Sequence, residues 1–245
     1  MTAPIERLPH AALDRDSRLP KARKISRVVE RSVPLHGARI LDIGTGSGHI
    51  AASLAELAGE DGRVESVDIR DQRQVADGYG FTVVTRTTLP FDDSSFDVVV
   101  SNHVIEHVGW AGDQLDHLRE IERVLRPNGL CYLAVPSKWV VVEPHFRLPL
   151  LSWLPRRLRD PYVRRAGRGA RYDCELLTRR RVADLALAAS LSVEDATLPA
   201  LRELERIEGA GPASRLVLRA PRRVQEAVVA LSPTIVVLLR PLSAA

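Results

Sequence analysis

A chain of 245 residues, 45% hydrophobic and 27% charged, has room for one large α/β domain or two small ones and is too apolar to be disordered by composition. Its two cysteines, Cys131 and Cys174, show neither CxxC nor metal-ligand spacing; this argues against a disulfide framework, suits a reducing compartment and leaves no metal site expected. The net charge of +4 is unevenly spread: between Glu143 and Arg181 eleven arginines stand against four acids, either a solvated face or one that meets an anionic substrate or membrane surface.

In chain order, the opening "MTAPIERLPHAALDRDSRLPKARK" has no apolar core segment, so no secretory signal is expected. "KARKISRVVERSV", residues 21–33, carries Ile25, Val28 and Val29 at helical spacing. "ARILDI" reads as a buried strand, followed by a glycine turn and the helix "HIAASLAELA", stopped by Gly59. Strands are predicted at 63–69, 81–85, 95–102 and 130–136, with a helix over 114–125 closed by "RPNG". Apolar strands alternating with helices indicate a parallel sheet covered on both faces, a doubly wound α/β domain.

From Ser137 to Arg171 the rhythm breaks into prolines, arginines, Trp139 and Trp153, which predicts an insertion over the carboxyl edge of the sheet, where open α/β folds bind ligands. A helix resumes over 178–190 with Thr178 as N-cap, and "LSVEDAT" follows as a strand. The uncharged stretch Ala227–Leu239 has about 13 residues, short of the roughly 20 a membrane-spanning helix needs, and Pro233 splits it into a helix (222–231) and a closing strand (234–239).

The glycine turn "ILDIGTGSGHI" carries the functional signal. Its spacing is GxGxG rather than the dinucleotide GxGxxG, and the Gly-Lys-Ser/Thr of a phosphate loop is absent. Asp42 at the end of the first strand disfavours a nearby pyrophosphate and suits a ligand with a cationic amine. Asp68, ending the second strand in "VDIR", is placed to grip ribose hydroxyls, with Ile69 beside it as an apolar surface for adenine; an acid there serves a nicotinamide dinucleotide equally well.

Over residues 35–136, "ILDIGTGSG", "VDI", "LPFDDSSFDVVVSNHVIEHV" and "REIERVLRPNGLCYLAVP" resemble the class I S-adenosylmethionine-dependent methyltransferases, in particular the group related to ubiquinone and menaquinone methyltransferases. The resemblance implies a Rossmann-like, mostly parallel seven-stranded sheet with an antiparallel C-terminal strand and an insertion after strand 5. It divides the chain into an N-terminal helical cover (1–36), a cofactor-binding core (37–136), a substrate-covering insertion (137–177) and C-terminal helices and strands (178–245). It further implies that Gly44, Gly46 and Gly48 let the methionine part of the cofactor lie against the backbone, that Asp42 orients its amino group, that Asp68 holds the ribose, and that Asn102 sits near the transferred methyl. Two features depart from the family. The helix between strands two and three shrinks to about "RDQRQVAD", and "TRTT" replaces the Asp-Ala pair before "LPF", which leaves adenine to backbone groups or to Thr87 and Thr88.

"HVIEH" matches H-x-x-E-H, in which His103 and His107 on one helix face would ligate zinc with Glu106 as base. The motif directly follows a parallel strand, and the resembled methyltransferases carry a histidine there too, so His107 is read as an acceptor-pocket or helix-capping residue and no metal is expected. In "EPHFRLPLLSWLP" prolines rigidify the backbone around His145 beside an apolar wall of Phe146, leucines and Trp153. Methyl transfer from a sulfonium needs the protein mainly to align the nucleophile, while a hydroxyl acceptor must also lose a proton, a role suited to histidine. His145 is the first candidate base and His107 the second, each with a purely structural role as the alternative; Tyr172 and Asp173 are candidates to position the acceptor.

The expected activity is O-methylation of a glycan, glycolipid or other small metabolite. A C-methyltransferase acting on a quinone-type ring and a non-catalytic cofactor-binding partner of a biosynthetic complex stand as alternatives. The expected partner is a small-molecule or lipid-linked saccharide acceptor; no nucleic acid is expected, since no recognition motif for one is present. A cytoplasmic location is expected, with peripheral contact to the inner face of the membrane as an option.

Overall fold

A computed structural model of the chain describes residues 15–209 and 211–242. Among these the strands are β1 (Arg39–Ile43), β2 (Arg63–Asp68), β3 (Gly80–Val83), β4 (Phe96–Asn102), β5 (Leu125–Pro136), β6 (Val142–Glu143), β7 (Leu148–Pro149), β8 (Leu191–Asp195) and β9 (Thr234–Pro241). The helices are α1 (Arg15–Val29), α2 (His49–Ala58), α3 (Ala111–Val124), α4 (Arg156–Arg165), α5 (Arg179–Ala188), α6 (Thr197–Glu208), α7 (Pro212–Arg219) and α8 (Arg222–Ala230). Seven strands form one sheet in the order β3-β2-β1-β4-β5-β9-β8. From β3 to β5 all neighbours are parallel, and β9 runs antiparallel to both β5 and β8. This is the expected doubly wound, Rossmann-like sheet with an antiparallel C-terminal strand.

Strand side chains alternate between the two faces, and each face builds its own core. Leu41, Val99, Cys131 and Leu133 point towards Leu118 and Ile121 of α3 and Val182 and Leu185 of α5. Ile40, Val98, Val100 and Tyr132 point towards Ile25 and Val28 of α1, Leu54 of α2 and Ala200 of α6.

Local chemistry sets the helix ends. Gly59 closes α2 at φ +69°, where a side chain would be strained. Thr178 caps α5, its side-chain oxygen accepting from the Arg181 N–H at 3.1 Å. The N-terminal helix lies earlier than its apolar pattern suggested. It runs 15–29 through Pro20, which near the helix start sacrifices only one backbone bond. Residues 1–14 of the expected helical cover lie outside the described residues.

The shortened helix expected at "RDQRQVAD" does not form. Instead the Gln74 and Val75 N–H groups donate to the Ser47 carbonyl at 2.9 and 3.2 Å, Asp71 ties back to Arg73, and Gly78 turns the chain at φ +85°. The "RPNG" expected to close α3 lies within β5, which pairs with β4 from Leu125 onward. Three helices, α4, α6 and α7, were not anticipated.

Residues 137–177 hold the β6–β7 hairpin, a 3₁₀ turn at Leu151–Trp153 and α4, gathered around a small core of Phe146, Leu148, Leu151, Val163, Tyr172, Cys174 and Leu176. The buried Arg159 spans this insertion, donating from Nε to the Leu154 carbonyl and from Nη1 to Glu175, so part of the arginine-rich segment serves packing rather than solvent. Leu133→Ala, which empties a fully buried site on β5, should cost about 2–5 kcal/mol in urea unfolding. Thr178→Ala, which removes only the α5 cap, should cost about 1 kcal/mol.

Candidate active site

The glycine turn leaves β1 and enters α2 at the carboxyl edge of the sheet. Gly44, Gly46 and Gly48 have φ of +80°, +55° and +84°, a region that side-chain-bearing residues rarely adopt. Two of them are also hemmed in from the sides. A Cβ on Gly44 would run into Val104, and one on Gly48 into the Val75 carbonyl and the Tyr79 hydroxyl. The turn is thus held between the loop after β4 and the loop after β2.

Several polar atoms around this turn are buried without hydrogen-bond partners: Asp42 Oδ2, Ser47 Oγ, His49 Nε2 and Asn102 Oδ1. Asp42 is 2% exposed, and burial pushes its carboxyl up to about 7, against the pull of Arg18 and with a further push from Asp68. Arg18 reaches in from α1, its Nη2 standing 3.7 Å from where a Cβ on Gly46 would be. Asp68 Oδ2 accepts from the Gly46 N–H at 2.8 Å, and its Oδ1 from the Ile69 N–H at 2.6 Å. A carboxylate offers about four lone-pair sites, so Asp68 braces the turn and keeps capacity for ribose hydroxyls. Ile69 beside it is 41% exposed, an apolar side chain left open at a strand end. Thr88 lies exposed on the loop after β3.

Sequence reasoning missed Ser47, His49 and Arg18. The first two stand inside the quoted glycine stretch, where attention to the glycines hid them; no sequence signal brings Arg18 to Gly46.

A second polar cluster lies beyond Asn102. "HVIEH" is a turn and not a helix, which removes the geometry of the zinc-peptidase motif. The reason lies in the backbone: His103 has φ +60°, its N–H donates to the Ala134 carbonyl of β5, and His107 N–H closes on the Val104 carbonyl. Trp110, not His107, caps α3, with its N–H donating to Asp113. Within the turn Glu106 is fully buried and neither of its carboxylate oxygens has a hydrogen-bond partner. Its Oε1 lies 3.4 Å from His103 Nδ1, 4.0 Å from His107 Nε2 and 3.9 Å from His145 Nε2. Burial works against its charged form, yet the facing imidazoles hold its carboxyl below the ordinary value.

The two histidines singled out from sequence therefore meet, with ring centroids 4.7 Å apart and edge to face. His145 Nδ1 bonds Glu143 Oε1 at 2.6 Å, and Glu143 Oε2 accepts from the Phe146 N–H at 2.7 Å. Burial lowers the His145 pKa, but Glu143 outweighs it and raises it above the usual imidazole value. Cys174 joins the cluster, its Sγ 3.6 Å from His107 Nδ1, and burial pushes its thiol up. Tyr172 is buried against Phe146 with burial raising its hydroxyl, and the neighbouring Asp173 meets the Cys174 thiol.

The first strand of the parallel sheet ends in a buried acid and a GxGxG turn and the second in another acid, the arrangement expected from the resemblance to class I S-adenosylmethionine-dependent methyltransferases. Residues 41–133 match the family described as a methyltransferase domain. The chain is 35% identical over 112 residues to the ubiquinone/menaquinone biosynthesis C-methyltransferase of Hahella chejuensis, covering 41% of this chain and 44% of that protein. To the ubiquinone biosynthesis O-methyltransferase of Rhizobium rhizogenes it is 30% identical over 132 residues, covering 50% and 52%. The chain thus spans about half or less of the length of these curated relatives. A methyltransferase structure from Aquifex aeolicus, described as dependent on the same cofactor, shares the fold with a TM-score of 0.54 at 18% identity, covering 74% of this chain and 86% of that one.

The residues present fit S-adenosylmethionine. Asp42 and Asn102 offer unpaired acceptors to an amine, Arg18 a cation to a carboxylate, and Asp68 spare lone pairs to a ribose. Because Asp42 is neutral below about pH 7 in the free chain and an ammonium needs its carboxylate, cofactor affinity should rise as pH increases through about 7. Asp42→Asn should bind weakly with that slope gone, as titration calorimetry across pH would read. The sign for stability is opposite. A carboxyl raised from 3.8 to about 7 contributes stability that is lost as pH climbs through that window, so free Asp42→Asn should unfold at a higher temperature than the parent above pH 7.

Proposed function

We propose that the chain transfers the methyl group of S-adenosylmethionine to an oxygen of a glycan, glycolipid or other small metabolite. The observation that carries this reading is the set of partnerless buried polar atoms around the glycine turn, Asp42, Ser47, His49 and Asn102, beside an imidazole cluster within the same edge of the sheet. When bound, the cofactor supplies a methyl already activated as a sulfonium. The chain's own work is to hold the methionine end with Asp42, Arg18 and Asn102, the ribose with Asp68 and the adenine against Ile69 and the Thr88 loop, and to align the acceptor.

An alcohol acceptor must give up its proton. With Nδ1 of His145 committed to Glu143, its Nε2 is the group to take it, and Glu143 then steadies the imidazolium. His107, packed edge to face on His145, flanks the same point. His145→Ala should lower kcat about 100-fold or more with cofactor affinity unchanged. Arg18→Ala should weaken cofactor binding about 10-fold or more. Calorimetry showing no binding of S-adenosylmethionine to the parent chain would overturn the reading. The acceptor class is tested by labelled methyl transfer to extracts separated into lipid, saccharide and protein fractions; label in the protein fraction alone would exclude it.

A lipid-linked acceptor is favoured by one surface feature. Trp139, Val141, Val142, Leu150 and Trp153 are all exposed on and around the β6–β7 hairpin, with Lys138 stacked on Trp139 and Arg147 in the hairpin itself. Aromatic and aliphatic side chains beside cations suit the headgroup level of an anionic bilayer. No helix among the described residues is long and apolar enough to cross a membrane, so contact there would be peripheral. The chain should co-sediment with phosphatidylglycerol vesicles and not with phosphatidylcholine ones, and Trp153→Asp should abolish it; equal sedimentation of parent and variant would count against this surface.

A further inference from the structure

We propose that His107, His145 and Cys174 form a binding site for a divalent transition-metal ion of the zinc class. Each offers one ligand atom, and those atoms lie within 4.8 Å of one another. They come from three separate places: the turn after β4, the start of the β6–β7 hairpin and the end of the insertion. The Sγ of Cys174 stands 3.6 Å from Nδ1 of His107. Metal bonds of about 2.0–2.1 Å to nitrogen and 2.3 Å to sulfur, spread tetrahedrally, set ligand atoms about 3.3–3.6 Å apart. One edge of the tetrahedron is therefore already drawn, and closing the others takes side-chain movements of about an ångström on that same geometry.

The surroundings match what a metal-bound imidazole requires. His145 is held through Nδ1 by Glu143, whose other oxygen accepts from the Phe146 N–H. A carboxylate behind a ligating histidine fixes its tautomer and strengthens it as a donor. The charge balance also calls for a cation. Glu106 and Glu143 are both fully buried, and Glu106 has no hydrogen-bond partner on either oxygen. Two arginines of the insertion, Arg156 and Arg159, are paired with Glu175 instead. A divalent ion beside Glu106 would add to the positive charge that the facing imidazoles provide. Two imidazoles and one thiolate select zinc-class ions over magnesium or calcium. They also leave a fourth position for water or for an oxygen of the acceptor. A lone pair given to the ion is not free to take a proton, so in the ion-bound chain His145 is a ligand and not a base.

The proposal rests on the cluster's geometry and changes the part His145 plays in the methyl-transfer reading, so it is tested without turnover. The full chain, stripped with chelator and titrated with Co²⁺, should bind one equivalent and develop a thiolate-to-cobalt charge-transfer band with intense tetrahedral d–d absorption. Cys174→Ser should lose the charge-transfer band, while Cys131→Ser, altered inside the central sheet, should keep it. Glu143→Gln, which leaves all three ligands in place, should weaken cobalt affinity about 10- to 100-fold. Circular dichroism and cofactor calorimetry on each variant separate loss of the site from loss of the fold; should Cys174→Ser fail to fold, the band in the parent and in Cys131→Ser decides. A parent chain that binds no stoichiometric ion, or a band that vanishes with Cys131 or survives without Cys174, overturns the proposal.

Discussion

Removing a carboxylate from water costs several kcal/mol unless cations or hydrogen-bond donors replace the lost hydration. This chain accepts that cost three times along one edge of its sheet, and the three carboxylates are resolved differently. Glu143 is satisfied internally, by an imidazole and a backbone N–H. Asp42 is left partly protonated near neutrality, with one oxygen that has no hydrogen-bond partner among the described residues. Glu106 faces three imidazoles at distances too long or too poorly directed to bond it. The last two leave carboxylate oxygens without a hydrogen-bond partner among the described residues.

The rest of the fold makes those positions possible. Strands buried on both faces have no solvent to offer their side chains, so a polar residue at a strand end meets either a ligand or a neighbouring loop. The glycine turn shows how closely the loops are fitted. Val104 closes on Gly44, and Val75 and Tyr79 close on Gly48, so the absent side chains make room for the protein as well as for the cofactor. A substitution at either glycine would meet the loop packed against it, Val104 at Gly44 and Val75 and Tyr79 at Gly48.

The sequence made the sheet legible because its signals are periodic and local. Apolar runs, Gly59 after α2 and Thr178 before α5 each act within a few residues of themselves. The same holds for Asp42 and Asp68, whose places at strand ends follow from the strand pattern. Reasoning failed where long-range bonds overrode the pattern. The segment after β2 has residues able to form a helix, yet its N–H groups are taken by Ser47. "HVIEH" has perfect helical spacing for two histidines, but β5 captures the His103 N–H and turns the backbone the other way. The imidazole–thiol cluster illustrates the limit most plainly. A search for ligands at short spacing dismissed Cys174, because its neighbours in space are separated from it by most of the insertion. Arg18 was invisible for the same reason, being delivered by the packing of α1.

One small set of bonds fixes how separable the two halves of the site are. The Glu175 N–H donates to the Glu106 carbonyl, and the buried Gln114 of α3 donates its amide to the Ile105 and Glu175 carbonyls together. Insertion, motif turn and helix are stitched at one point by one backbone bond and the two-pronged Gln114 amide. The insertion therefore does not behave as a detachable lid. Divergence to a new acceptor would have to carry the turn after β4 and the Gln114 position along with it, and grafting residues 137–177 alone onto another scaffold of this fold would leave the Glu175 carbonyl without its Gln114 donor.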